Sequence, residues 1–83
     1  MKELLFVKIN DCSETEKTEL FRIAQVFDIK VIDYNQDTVL LECVQNESKN
    51  DDLITLLEKN YSNKIELVRS GSVAIESVSI TNK

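Results

Sequence analysis

The 83-residue sequence predicts a two-layer α+β domain: a four-stranded antiparallel sheet with two helices on one face. Three observations carry this. Two stretches repeat apolar residues at helical spacing, four short stretches are rich in apolar and β-branched residues, and together they run strand, helix, strand, strand, helix, strand. That order is the split βαβ, ferredoxin-like βαββαβ sandwich. Right-handed crossovers then put both helices on one side and make the first and third strands central.

The first strand is Glu3 to Asn10, ELLFVKIN, bounded by Asn10-Asp11. Its alternate set Leu5, Val7 and Ile9 is wholly apolar, and the other set holds Leu4 and Phe6, so both faces require cover, as in mid-sheet strands. Ser13-Glu14-Thr15-Glu16 then matches a capping box and predicts a helix start. Leu20, Ile23, Ala24 and Phe27 form its apolar stripe, and the acidic residues at its front suit the helix dipole.

A hairpin follows, with strands Ile29–Tyr34 and Thr38–Val44 around Asn35-Gln36-Asp37. In its second strand Val39, Leu41 and Cys43 share one face, while Leu40, Glu42 and Val44 share the other. Ser48, Asn50 and Asp51 are each candidate caps for the second helix, whose stripe is Leu53, Leu56, Leu57 and Tyr61 with Ile54 at the margin. Ile65 to Ser70 is the last clear strand. Beyond Gly71, SVAIESVSI reads as a short extra strand or as an arm laid on a partner.

Length and composition bound the function. The chain is expected to form one domain over residues 1–83, and at this size a single core supplies only about 3–5 kcal/mol without a disulfide, a metal or association. There is no histidine, and the two dispersed cysteines, Cys12 in a loop and Cys43 as a small core residue, fit a reduced cytoplasmic protein better than a disulfide scaffold or zinc site. Ten basic against 15 acidic residues give a net charge of −5, which argues against nucleic acid, and the apolar runs are too short for a membrane span. Association is the remaining source of stability. The helix-free sheet face, carrying Leu4, Phe6, Leu40 and with them Ile32 and Val68, is the expected surface for it.

Catalytic chemistry has little to draw on. No nucleophile sits with a base, no glycine-rich phosphate loop exists, and no cofactor motif is present, so no cofactor is expected. The loop Asn10-Asp11-Cys12-Ser13-Glu14 is acidic where acylphosphatases of this topology have a basic anion cradle. It also lacks the glycine-containing turn with which ACT domains approach an effector carboxylate.

Lys64 to Ile75, KIELVRSGSVAI, resembles the closing signature of the regulatory small subunit of acetolactate synthase. Lys2-Glu3-Leu4 through Lys8-Ile9 is similar to the start of that family's C-terminal domain, and Phe21-Arg22-Ile23-Ala24 with Phe27, then Lys30-Val31-Ile32-Asp33, to its helix-and-strand passage. The resemblance implies an ACT-like domain that forms a homodimer or higher homo-oligomer. It further implies a complex with the thiamine-diphosphate-dependent catalytic subunit in branched-chain amino-acid biosynthesis. By motif it singles out Arg69, Ser70 and Gly71: Gly71 as a residue free to turn the chain, and Arg69 as an anchor for a carboxylate or carbonyl across an interface, or else a solvated neighbour of the turn. The family's separate ACT domain with its valine-feedback site has no counterpart in these residues, so valine feedback is carried over to none of them. The resemblance fits a fragment of a longer subunit and a short protein equally. The reading is therefore a non-catalytic regulatory module; the alternative is an autonomous amino-acid sensing or oligomerisation domain.

Overall fold

A computed structural model describes the backbone of residues 2–73 and the side chains of residues 2–70. The elements are β1 (Lys2–Ile9), α1 (Glu14–Val26), β2 (Lys30–Tyr34), β3 (Val39–Gln45), α2 (Glu47–Tyr61) and β4 (Ile65–Val73). The sheet order is β2-β3-β1-β4 with every pair antiparallel, so the first and third strands are central as expected. Both helices pack on one face. There Leu5, Val7 and Ile9 of β1 and Val39, Leu41 and Cys43 of β3 meet Leu20 and Ala24 of α1 and Leu53, Ile54, Leu57 and Tyr61 of α2. Cys12, expected in a loop, is there but turns inward and joins this core.

The helix ends explain where the chain turns. Ser13 and Glu16 complete the capping box: the Glu16 amide donates to Ser13 Oγ at 3.1 Å, and the Ser13 amide donates to Glu16 Oε1 at 2.9 Å. α2 starts earlier than its candidate caps suggest. Asn46 is its N-cap, accepting from the Lys49 amide at 2.8 Å, while Ser48, Asn50 and Asp51 lie inside the helix. Earlier entry brings Asn50 onto the buried face and Ile54 into the core, leaving Leu56 half-buried. At the far end of α1, Asp28 takes the left-handed conformation (φ 57°), and the Ile29 amide donates back to the Ala24 carbonyl at 2.8 Å. This is a Schellman ending with an aspartate where glycine usually stands. It lifts Phe27, the last member of the apolar stripe, out of the core to 48% exposure.

Two register shifts alter what strand alternation alone predicts. In β2, Val31 faces Leu41 and Asp33 faces Leu40, so Ile32 is an extra, bulged residue. The bulge returns Tyr34 to the helix side, where its ring meets Phe21 of α1 edge-on with centroids 5.4 Å apart. In β4, Arg69 faces Leu5 and Ser72 faces Glu3, so Ser70 and Gly71 together oppose Leu4. The last strand therefore does not end at Ser70. It continues through a bulge at Gly71 to Val73, and the glycine sits within the ladder and not at a turn. The extra strand or arm expected beyond this point falls on residues 74–83, outside the described residues.

Two substitutions test this account. Asp28→Gly is expected to raise unfolding stability by about 1 kcal/mol in urea titration, because it removes the cost of a left-handed side-chain-bearing residue. Leu41→Ala, at a fully buried site, is expected to cost about 2–5 kcal/mol.

Candidate functional site

The face of the sheet opposite the helices carries the candidate surface. On β1 it presents Leu4, Phe6 and Lys8, and the register places their neighbours. Phe6 lies between Glu42 of β3 and Val68 of β4, with Lys30 of β2 beyond Glu42. Lys8 lies between Leu40 and Glu66, with Asp33 beyond Leu40, and Leu4 lies between Val44 and the β4 bulge. Apolar side chains thus run up the middle of the face, interrupted by Glu42 and Lys8, with Lys30, Asp33 and Glu66 on the two outer strands. No described helix covers this side. Phe6, Leu40 and Val44 are half-buried and Val68 is 62% exposed, whereas Leu4 is only 9% exposed.

The residues singled out from the sequence do not form one cluster. Leu4, Phe6 and Leu40 share the helix-free face, but Arg69 faces the helices, opposite Leu5. There its guanidinium grips Glu3 in a two-pronged contact, Nε to Oε2 at 3.0 Å and Nη2 to Oε1 at 2.7 Å, and Nη1 reaches Asp51 Oδ1 of α2 at 2.8 Å. Ser70 donates its hydroxyl to the Leu4 carbonyl at 3.0 Å, pinning the bulge.

Around Arg69 lies a polar cluster that the residue-by-residue reading of motifs missed. Glu3 is 4% exposed and Asn50 fully buried. Asn50 Nδ2 donates to Glu3 Oε1 at 2.8 Å and more loosely to the Glu3 carbonyl, while its Oδ1 accepts from Gln45 Nε2 at 2.8 Å. A carboxylate buried this deeply requires such partners. Hydrogen bonds from Arg69 hold the Glu3 carboxyl below the ordinary glutamate range; burial opposes this and the Asn50 amide assists. Arg69 is correspondingly pushed up by Glu3 and Asp51. One signal in the sequence could have found the cluster: Glu3 belongs to the same alternate set as Leu5, Val7 and Ile9, so a core-facing carboxylate awaits a cation.

Several other ionisable groups are held by structural contacts. Burial, with Glu42 nearby, pushes the Cys43 thiol up to about 12, far from a reactive thiolate. Burial and the Glu16 carboxylate also raise Cys12. Tyr61 donates its hydroxyl to Glu19, tying α2 to α1, and Lys64 pairs with Glu16 at 2.9 Å while donating to the Asp11 carbonyl, which fastens the β1–α1 loop to the start of β4. Among the described residues, no cluster of His, Cys, Asp or Glu suits a metal ion, and no helix is long and apolar enough to cross a membrane.

Against known proteins, residues 2–78 match the family described as the small subunit of acetolactate synthase. The chain is 35% identical over 74 residues to the acetolactate synthase small subunit of Aquifex aeolicus, covering 89% of this chain and 38% of that protein. It is 31% identical over 74 residues to the probable acetolactate synthase small subunit of Methanothermobacter thermautotrophicus, covering 89% and 43% respectively. The chain thus spans about two fifths of the length of these relatives. No solved structure gives a significant match.

The polar cluster sets two expectations. Asn50→Ala is expected to cost about 1–3 kcal/mol in chemical denaturation, since the Glu3 carboxylate loses a buried donor. Because the folded-state pKa of Glu3 lies below its unfolded value, its contribution to stability is complete above the ordinary glutamate range and is lost as pH falls through the lowered value. Glu3→Gln should therefore flatten the acid limb of a stability-versus-pH curve, and an unchanged acid limb would refute the assignment.

Proposed function

The chain belongs to the family of acetolactate synthase small subunits, within which it corresponds to the C-terminal domain, and from that premise we propose that it is a non-catalytic regulatory domain that joins the enzyme's catalytic partner. Residues 1–83 act as one unit in this reading, in the cytoplasm, and associate with a second copy as well. The observation that carries it is the sheet face that no described element covers: it carries Phe6, Leu40, Val44 and Val68 on adjoining strands, with Glu42 and Lys8 set among them and Lys30, Asp33 and Glu66 on the outer strands. Apolar area interleaved with charges of both signs suits an association surface, where the first is buried and the second fix the register. Leu4, at the crowded end of that face, and Ser70 and Gly71, which shape the neighbouring strand, act as its frame, while Arg69 holds that frame to α2.

Three buried or half-buried ionisable groups among the described residues are committed to structure. Cys43 is locked as a thiol, Glu3 is spent on Arg69, and Tyr61 is bound to Glu19.

Co-purification with the catalytic subunit tests the proposal. Wild-type protein is expected to be retained and to change the catalytic rate. Phe6→Asp is expected to weaken retention at least about tenfold, with helical circular dichroism preserved, because it sets a desolvated charge in the contact. Val68→Asp, on an exposed edge position, gives the same test with less burden on folding. Full retention and unchanged sedimentation for both variants would remove the sheet face from the interface.

A further inference from the structure

The side of the molecule away from the bare sheet has its own opening, a groove of about 460 Å³ between the end of α1 and the N-terminal half of α2. Val26, 71% exposed, and Phe27 form one wall, and Leu53 and Leu56 form the other. Its size lies within the roughly 300–1,000 Å³ over which proteins seat ligands.

The charges around it have a direction. Asp28 and Asp52 line the groove against the single cation Lys49, and among the described residues neither carboxylate forms an ion pair. The negative end of the α1 dipole also lies here, and the last turn of α1 has no basic residue to complement it. Asp28 adds a further point: it holds a left-handed conformation that glycine would adopt more cheaply, so a carboxylate is kept at the mouth of the groove at a cost to the fold.

We propose that this groove docks an amphipathic segment of a partner polypeptide, inserting apolar side chains between Phe27 and Leu56 and placing an arginine or lysine against Asp28 and Asp52. An apolar floor demands the first half of that description, and unpaired carboxylates beside an uncompensated helix end demand the second. An acidic segment is disfavoured by the same charges, on a chain whose net charge is already −5. The groove does not depend on what covers the sheet, since the two surfaces lie on opposite layers.

The test uses a short amphipathic peptide of leucine, alanine and arginine, its counterpart with glutamate for arginine, and butylamine, each titrated into the whole chain and followed by amide chemical shifts. The arginine peptide is expected to give saturable shifts at Val26, Phe27, Asp52 and Leu56. Asp28→Asn, which keeps a residue tolerant of the left-handed conformation, and Asp52→Asn should each weaken it about fivefold without loss of fold. Absent shifts, shifts confined to the sheet face, equal binding of the glutamate peptide, or variants that bind as wild type would overturn the proposal. So would butylamine matching the peptide at equal concentration, since a free amine would then suffice.

Discussion

The rest of this structure depends on β1 being hydrogen-bonded along both edges and apolar on both faces. Leu5, Val7 and Ile9 fill the space under the helices, and their burial supplies a large share of the driving force in so small a domain. The other face of the same strand receives nothing comparable from the described residues. Among the described residues nothing covers Phe6, Leu40 and Val68 from that side, and under the proposed function this part of the apolar surface is held for association.

The opposite end of β1 is governed by charge. Glu3 occupies a core-facing position, so the chain had to bring a guanidinium from β4 and an amide from α2 to the same carboxylate. Three elements distant in sequence are thereby fixed against one another at the end where the β4 bulge loosens the ladder. Breaking any partner would leave a buried charge, so disrupting the cluster costs more than the intact set gains over apolar packing. Arg69 stands out in the sequence as a motif residue, and the structure gives it Glu3 and Asp51 as partners.

The fold was legible because its signals are local and repeated. Apolar spacing marks α1 and α2, the Ser13–Glu16 box marks a helix start, and alternation along Leu5, Val7 and Ile9 marks the buried side of the central strand. What escaped depends on how strands register against one another. Nothing adjacent to Ile32 announces a bulge, and Gly71, the one glycine, reads equally as a turn or a bulge; each resets the side-chain phase, sending Tyr34 to Phe21 and carrying β4 past its apparent end. The α2 cap escaped as well: the candidates read from the sequence are Ser48, Asn50 and Asp51, whereas Asn46, competent by the same chemistry, caps the helix and lets Asn50 face Glu3. The candidate site was partly legible for the same reason: Phe6 and Leu40 follow from alternation, whereas the separation of Arg69 onto the other face follows from register.

The pairing that joins Lys2 to Val73 also has a temporal side. Among the described elements β1 precedes the rest and obtains its second neighbour, β4, last, so during translation one of its edges stays unpaired while helices and hairpin are added. Closing so distant a contact is slow, and the half-made sheet is the species most prone to stick to other chains. Early engagement of the nascent chain by a chaperone would shield the strand until β4 emerges.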